Sequence, residues 1–440
     1  MTFDRFRISL RVLATASVAL AALVLPGRLA AQDTLIARLR ATYNTQYSPG
    51  FVVLPFSGAI GAPQVREIVR RDLENSDRFQ MRDPAGARAG DPVNAALWRE
   101  RGADWVLEGG VESRAGGLTL RLTLTDAVYG QQKGTGSFEL PSPTARGFRM
   151  AVHAASDAVV RWATGEPGMA ASRIAFVQAG RGSKEIYLVD SDGENLTRVT
   201  SDGSIALSPS WAPDGRRLAY TSYRSGAPFL YERDLSTGAD RVVSDRTGLN
   251  ITPAYAPDGR TIAFATTVSG GTEIATVGPA GLRQHTQGRR FASLSPSYAP
   301  DGSRFAFVSD RLGEPQIYVM SVGGEPRLVS EYTYGRRGYS TSPDWSPDGR
   351  SIAYHSRLNG DHQIVVVSPD GGRVRLLTDR FRNEDPSWAP DSRHLVFAST
   401  NRDGGGLFVL DTVTGRIRQL VRGGGYGLPD WSPVLLRAGN

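Results

Sequence analysis

Trp345-Ser-Pro-Asp-Gly349 is one of six related segments that decide the fold of this chain. Their aromatic residues are 44, 43, 47, 43 and 43 residues apart. Such spacing is typical of a β-propeller in which each repeat forms one four-stranded blade. The aromatic residues, which we expect to pack inside the blades, are Trp211, Tyr255, Tyr298, Trp345, Trp388 and Trp431.

Each repeat has the same internal order. A Ser-Pro-x-aromatic strand leads into a Pro-Asp-Gly turn, where Pro presets φ, Asp bonds back to the backbone and Gly closes the turn without a Cβ clash. A β-rich strand follows, as in Ile352-Ala-Tyr354. A third strand resembles Ile317–Met320, and a fourth resembles Arg327–Val329. This order predicts four antiparallel strands per blade.

The two ends of the repeat region complement each other. The first repeat opens at Arg173-Ile-Ala-Phe176 without an aromatic-Pro strand, and the last segment, Pro429–Pro433, has no further strands after it. We predict that the C-terminal strand completes the first blade, because such closure removes exposed sheet edges. The result is an all-β, six-bladed propeller over residues 173–436, closed by three strands plus one.

The region before the propeller alternates helix and strand signals. It predicts an α/β domain over residues 50–165 and a linker over 166–172. The expected elements are a strand at Phe51–Phe56, a helix from Ala62, a short helix at Ala95–Arg101, a strand at Trp105–Val111, a hairpin over 118–140 and a helix at Thr144–Ala163.

The N-terminus has the pattern of a signal peptide over residues 1–31. Arg5 and Arg7 form the positive region, an apolar run covers 12–25, and Ala30 and Ala31 offer a cleavage site. That run is shorter than the roughly 20 residues that span a bilayer. We therefore expect export from the cytoplasm and a tail over residues 32–49.

The sequence contains no recognisable catalytic motif. Nucleophile elbows, phosphate loops, zinc-protease segments and dinucleotide turns are all missing. The chain has no cysteine and five isolated histidines, and isolated histidines are usually surface or core residues. We predict a protein that is not an enzyme and needs no metal or other cofactor. The net charge of +7 comes from scattered arginines, so nucleic acid is not an expected partner.

Three alternatives stay open. A peptidase-type propeller would need a separate hydrolase domain that carries a nucleophile. A sugar-cleaving propeller would need two carboxylates about 5–10 Å apart at the channel, and Asp344 and Asp385, which we place just before inner strands, keep that hypothesis open. The third alternative is a propeller protein that keeps this fold but binds another envelope protein or a small ligand.

The two parts of the chain together resemble the TolB family of the Tol–Pal system. In the first domain the resemblance rests on Val52–Phe56, Arg71–Phe79, Gly102–Val106 and His153–Asp157, and the propeller opens with Arg173–Val177. The repeat alone is less specific, because peptidase-associated propellers also carry it.

The resemblance implies a periplasmic adaptor without catalytic residues. Such proteins bind the peptidoglycan-associated lipoprotein Pal through one propeller face, and their N-terminal segment reaches TolA at the inner membrane. The system maintains outer-membrane integrity and assists division. We expect a monomer held at the membrane through its partners. In this chain Gln32–Ser48 lacks the family's β-branched strand and reads as a helix or mobile tail, so contact with TolA stays an open expectation.

Geometry narrows the expected Pal site to the loops that join the fourth strand of one blade to the first strand of the next. These loops are Ser201–Leu207, Ser244–Ile251, Thr286–Leu294, Ser330–Thr341, Asp379–Asp385 and Arg422–Leu428. Tyr and Arg are enriched at interface hot spots. The candidate partner-binding residues are Asn250, Arg289, Arg290, Tyr332, Tyr334, Arg336, Arg337, Tyr339, Phe381 and Arg382.

Overall fold

The structure, a computed structural model, describes residues 48–436 except 59–60, 116, 269, 289, 332–337, 359 and 401–403. The predicted signal peptide and nearly all of the predicted tail lie outside the described residues.

The N-terminal region is an α/β domain, as the sequence predicts. Its elements are β1 (Gly50–Val53), β2 (Ser57–Gly58), α1 (Ala62–Asn75), β3 (Gln80–Arg82), α2 (Ala95–Glu100), β4 (Trp105–Arg114), β5 (Gly117–Asp126), β6 (Gln131–Pro141) and α3 (Phe148–Thr164). The sheet has the order β3-β1-β4-β5-β6, and β2 also pairs with β4. Strand β1 is parallel to β3 and β4, whereas β4, β5 and β6 are antiparallel.

Helices α1 and α3 pack their apolar stripes against this sheet. Val65 and Leu73 of α1 and Val152 and Val159 of α3 are fully buried in one core with Leu120 of β5. The apolar residues recur at helical spacing, so a single face of each helix supplies them. None of the helices in the described part of the chain is both long and apolar enough to cross a membrane.

Helix α3 begins four residues later than predicted, at Phe148 instead of Thr144. Residues 142–147 form turns, in which the amide of Ala145 bonds to Ser142 and that of Phe148 bonds to Ala145. The helix ends as predicted, because Gly165 takes φ +79° and its amide bonds to the carbonyl of Arg161.

The rest of the described chain forms six four-stranded antiparallel sheets, the blades of the predicted propeller. Blade 1 consists of β30 (Tyr426–Trp431), β7 (Arg173–Ala179), β8 (Lys184–Asp190) and β9 (Thr197–Arg198). Blade 2 consists of β10 (Ala206–Trp211), β11 (Arg217–Ser222), β12 (Phe229–Asp234) and β13 (Asp240–Ser244). Blade 3 consists of β14 (Asn250–Tyr255), β15 (Ile262–Val268), β16 (Gly271–Gly278) and β17 (Gly281–Gln284).

The remaining three blades repeat the pattern. Blade 4 consists of β18 (Ser293–Tyr298), β19 (Arg304–Ser309), β20 (Gln316–Ser321) and β21 (Arg327–Leu328). Blade 5 consists of β22 (Ser340–Trp345), β23 (Ile352–Leu358), β24 (Asp361–Val367) and β25 (Arg375–Leu376). Blade 6 consists of β26 (Arg382–Trp388), β27 (His394–Thr400), β28 (Gly406–Asp411) and β29 (Ile417–Arg422).

The C-terminal strand closes the ring, which confirms the predicted three-plus-one arrangement. Strand β30 pairs antiparallel with β7, with Tyr426 opposite Gln178 and Trp431 opposite Ile174. The indole of Trp431 is buried and donates to Ser172 Oγ at 2.7 Å. Residues from the two ends of the repeat region are therefore joined by backbone pairing, packing and a buried hydrogen bond.

The N-terminal domain packs on the end of the propeller that carries the Pro-Asp-Gly turns. Asp77, which follows α1, accepts hydrogen bonds from Arg416 at 2.9 Å and contacts His394 Nε2 at 3.3 Å. Its backbone carbonyl accepts from Arg393 at 2.8 Å. On the neighbouring blade, Arg149 of α3 pairs with Asp192. Asp192 lies in the turn between β8 and β9, so this turn contributes to the contact between the two domains.

His394 is the centre of the contact with Asp77. It is fully buried, and its Nδ1 lies 2.7 Å from Asp391 Oδ2. Burial alone would lower the pKa of His394, but the carboxylates of Asp391 and Asp77 outweigh it and raise that pKa to about 9. The imidazole is therefore a cation at neutral pH, held between two acids.

We expect removal of the closing strand to abolish cooperative folding of the propeller. A chain without Pro429–Pro433 loses the pairing of Asp430 and Trp431 with β7, and this part of blade 1 is left with an open edge. In the full-length chain, Trp431→Ala should lower the free energy of unfolding by about 3–5 kcal/mol, because it empties a buried aromatic site. Urea denaturation measures both effects, with the exposed Val242→Ala as the control. A deletion variant that unfolds like the intact protein would refute the closure.

We expect the stability to fall as the pH rises from about 7 to about 10. The folded-state pKa of His394, about 9, lies above its unfolded value of 6.5. The charged imidazole therefore stabilises the fold fully below 6.5, and this contribution is lost as the pH passes 9. His394→Gln should be about 3–5 kcal/mol less stable at neutral pH, because it leaves buried carboxylates without their cation. Between pH 7 and pH 10 its free energy of unfolding should also fall less than that of His285→Gln, a control outside this contact.

Candidate functional site

The two ends of the propeller differ in what covers them. Because the strands of a blade alternate in direction, the fourth-to-first and second-to-third connections share one end, and the Pro-Asp-Gly turns lie at the other. The N-terminal domain packs on the turn end. We call the opposite end the free face. Its fourth-to-first connections are residues 199–205, 245–249, 285–292, 329–339, 377–381 and 423–425.

A recurring clamp holds four of these connections in place. In blade 1 Thr200 donates its hydroxyl to the buried carboxylate of Glu185, and the same hydroxyl accepts the amide of Ile186. Glu185 also accepts the amide of Gly203 at 3.0 Å, which fixes the loop. The equivalent hydroxyl–acceptor pairs are Thr286–Glu273, Ser330–Gln316 and Thr378–Gln363. The clamp could have been found in the sequence as Ser or Thr paired with Glu or Gln in successive repeats.

Phe381 is the most exposed aromatic side chain among the described residues of the free face, with 53% of its surface accessible. Its backbone takes φ +63°, a conformation that a bulky residue adopts only when its surroundings impose it. The surroundings here are specific: Gln363 donates to the Phe381 carbonyl at 2.7 Å, and Asn383 donates to the carbonyl of Arg380 at 2.7 Å. The fold therefore presents an apolar ring to solvent at a rigid position.

The other candidate partner-binding residues have different outcomes. Arg382 and Arg290 are exposed on the free face, and Tyr339 is half-buried and stacks on His362. Asn250 is fully buried, so its assignment to a partner surface is wrong. Its side chain bonds to Ser244, Pro228 and Arg246, which stabilises the loop from inside. Arg289, Tyr332, Tyr334, Arg336 and Arg337 lie outside the described residues.

The first strand of each blade lines a central channel. Each of these strands contains a register shift, and at the shift a residue other than glycine takes φ between 50° and 54°. The six residues are Ser208, Thr252, Ser295, Ser342, Asp385 and Leu428. Their side chains tie neighbouring blades together in places: Ser342 donates to Asp385 at 2.8 Å, and Asp385 accepts the amide of Leu428 at 3.1 Å. The same backbone strain occurs in all six first strands because they share the same sequence repeat.

A second ring of hydrogen bonds uses the variable residue of the Ser-Pro-x-aromatic motif. In five of the six junctions within the described chain, its side-chain oxygen accepts the amide of the next blade's aromatic residue. The pairs are Ser210–Tyr255, Ser297–Trp345, Asp344–Trp388, Ser387–Trp431 and Asp430–Trp211, at 2.7–3.3 Å. Ala254 has no such oxygen. The side chains of five of the six aromatic residues are buried, and that of Tyr298 is partly buried.

Asp344 and Asp385 lie within the inner strands β22 and β26, and the prediction that they precede these strands is wrong. Their carboxylates accept backbone amides from the next blade, so both act as structural links. Asp344 is partly exposed to the channel, and desolvation raises its pKa to about 6. Burial and the nearby Asp344 charge raise the pKa of Asp430 well above its usual value. Hydrogen bonding to the neighbouring blade is the role that the contacts of Asp344 and Asp385 support.

Two family models match the chain. The model described as TolB beta propeller domain matches residues 161–435, and the TolB amino-terminal domain matches residues 42–133. Among solved structures, TolB from Acinetobacter baumannii superposes with a TM-score of 0.78 and 28% sequence identity, covering 89% of this chain and 98% of that chain.

Curated relatives carry the same family name. The Tol-Pal system protein TolB of a Polaromonas species is 37% identical over 202 residues, which cover 45% of this chain and 47% of the relative. The Tol-Pal system protein TolB of an Anaeromyxobacter species is 36% identical over 244 residues, which cover 52% of this chain and 54% of the relative. The chain therefore spans about half the length of the curated relatives that it matches.

We expect Asp344→Asn to stabilise the protein at pH 7. The folded-state pKa of about 6 exceeds the ordinary 3.8, so the ionised carboxylate costs stability at pH 7, and this cost disappears as the pH falls below 4. The variant should gain about 1–3 kcal/mol at pH 7, with the gain shrinking towards pH 4. Chemical denaturation across this range measures it, and the exposed Asp370→Asn serves as the control. A less stable Asp344→Asn variant would contradict the assignment.

Proposed function

The chain belongs to the TolB family, and on this basis we propose that it is a periplasmic adaptor that binds the peptidoglycan-associated lipoprotein Pal through the free face of its propeller. It would link Pal to the inner-membrane Tol proteins, in support of outer-membrane integrity and division. The family match to both parts of the chain supports the adaptor role.

The observation that carries the proposed binding surface is Phe381. Holding an exposed aromatic residue at positive φ costs the folded chain free energy. Burial of the ring by a partner would offset that cost, because aromatic residues contribute strongly to binding. It lies next to Arg382, and Tyr and Phe rings beside Arg side chains are typical of interface hot spots. The clamp on Gln363 holds the loop rigid, so little conformational entropy is lost on binding.

Within the part of the chain that the structure describes, the N-terminal domain leaves this end of the propeller available. The N-terminal domain occupies the opposite end through Asp77, Arg149 and the turn at Asp192. A protein that binds the free face can therefore do so without displacing the N-terminal domain. We propose TolA as a second partner, which would bind the tail at residues 32–49.

We expect saturable binding when the mature protein is titrated with the soluble domain of Pal from the same organism in a calorimeter. Phe381→Ala should weaken binding at least tenfold, about 1.4 kcal/mol, because it removes the central apolar contact. Tyr334→Ala and Arg336→Ala, in the longest connection, should also weaken it. Val242→Ala removes an equally exposed apolar side chain from the outermost strand of blade 2, away from this loop, and should leave binding unchanged.

Two results would contradict parts of the proposal. Binding that is unaffected by Phe381→Ala, with the variant melting like the parent protein, would place the Pal interface elsewhere. Absence of binding at tens of micromolar Pal domain, with a well-folded protein, would favour a family member that binds a different envelope partner.

A further inference from the structure

Two histidines and a glutamate meet at the free face, where blades 5 and 6 adjoin. His355 lies on β23 and His362 on β24 of blade 5, and Glu384 lies on β26 of blade 6. One ligand-type atom from each residue lies within 4.8 Å of the other two. His362 Nδ1 is 2.5 Å from Glu384 Oε1. The side chains of His355, His362 and Glu384 are 5%, 15% and 27% exposed, so the cluster opens to solvent on one side.

The propeller repeat shows that the fold does not need these residue types. The pairing of the first two strands in each blade identifies the residues equivalent to Glu384 and to His355. At the Glu384 position the other blades carry Leu207, Ile251, Leu294, Thr341 and Gly427. At the His355 position they carry Val177, Thr221, Ala265, Val308 and Ala398. At the other five junctions between blades, both positions carry uncharged residues. A histidine facing a glutamate therefore occurs only at the junction of blades 5 and 6 among these six.

The hydrogen bonds give the histidines the arrangement of metal ligands. His355 Nδ1 accepts the amide of Asp385 at 3.1 Å, so this nitrogen is unprotonated, and an ion that binds it must displace that amide. Its Nε2 then donates to Thr341 Oγ1 at 2.7 Å. Ligating histidines almost always donate their second ring nitrogen in this way, which fixes the tautomer and the ring orientation.

Ring stacking further restricts the two imidazoles. The rings of His355 and His362 stack with their centres 4.9 Å apart, and Tyr339 stacks on His362 at 5.4 Å with an interplanar angle of 2°. Because the planes of the two imidazoles differ by only 24°, one ring must rotate before the lone pairs of both rings point at the same ion. A tetrahedral ion with bonds near 2.0 Å separates its ligand atoms by about 3.3 Å. The His362–Glu384 pair must therefore open by under 1 Å, which side-chain rotation can supply.

We propose that His355, His362 and Glu384 bind a divalent transition-metal ion of the zinc type. Two imidazole nitrogens and one carboxylate oxygen suit Zn²⁺ and its neighbours, whereas Ca²⁺ and Mg²⁺ prefer sets of oxygen ligands. On binding, the ion replaces the hydrogen between His362 Nδ1 and Glu384, and the displaced proton goes to the solvent. Three protein ligands leave one coordination position open to water or to a group from a partner.

Arg382 opposes this binding and provides a sharp test. Its guanidinium forms two hydrogen bonds with Glu384, at 2.8 and 2.9 Å, and places a positive charge beside the site. Removal of that charge strengthens attraction for a cation, whereas a purely structural histidine cluster would gain no zinc affinity from it. Arg382→Gln should therefore tighten zinc binding about threefold or more, while Glu384→Gln should abolish it.

The experiment is calorimetric titration of the full mature chain, purified without a polyhistidine tag, with Zn²⁺, and separately with Ca²⁺. We expect saturable binding of one Zn²⁺ per chain and none of Ca²⁺. His362→Gln and His355→Gln should each weaken zinc binding at least tenfold, about 1.4 kcal/mol. His285→Gln, which removes a half-buried histidine from blade 3, is the matched control and should change nothing. Thermal melting without metal verifies that each variant is folded.

Cobalt gives a second readout that does not depend on affinity. Co²⁺ bound at a low-coordinate nitrogen and oxygen site produces visible absorption, which should disappear in His362→Gln and persist in His285→Gln. Absence of saturable zinc binding by the parent protein, or equal zinc binding by the parent and His362→Gln, would overturn the proposal. The zinc titration is carried out without Pal, so failure to bind Pal leaves the zinc proposal standing, and the reverse also holds.

Discussion

The closure of a ring of six blades is the constraint on which the rest of the structure depends. Every blade must meet its neighbours at a fixed angle, and the last junction must fit as well as the others. Pairing of β30 with β7 provides this closure, with the indole of Trp431 locked to Ser172. The inner strands then repeat the same register shift, and their side chains accept amides from the next blade. Carboxylates such as that of Asp344 complete this ring of hydrogen bonds, although desolvation raises the pKa of Asp344.

Ring closure also gives the propeller two ends with different contacts. The Pro-Asp-Gly end carries the N-terminal domain, joined through charged groups that include the buried cation His394 between two acids. The opposite end carries long connections, and buried hydroxyl–carboxyl and hydroxyl–carboxamide clamps hold four of them. Rigid loops on a rigid ring are well suited to binding, because their backbone conformations are already set before a partner arrives. Phe381 shows this most clearly, since it keeps an exposed ring in a backbone conformation that only its hydrogen-bonded surroundings maintain.

The sequence predicted the architecture well because a repeat multiplies a weak local signal. The six aromatic segments, the four strands per blade and the closing strand are all confirmed. Prediction was poorer where contacts join distant parts of the chain. Asn250 sits in a loop segment rich in polar residues, and nothing local revealed that its amide turns inward. His355, His362 and Glu384 each look ordinary in sequence, since only the packing of blade 5 against blade 6 brings them together. The contact of Asp77 with His394 spans the two domains, so it lies beyond any local pattern.

The most direct test of the account is hydrogen–deuterium exchange of the mature protein with and without a saturating amount of the Pal domain. The account predicts that binding slows exchange in the connections of the free face, including residues 377–381 and 423–425, and leaves the Pro-Asp-Gly turns and the N-terminal domain unchanged. Slowed exchange confined to the N-terminal domain or to the turn end, with the free face unaffected, would contradict the claim that this end of the propeller is the binding surface.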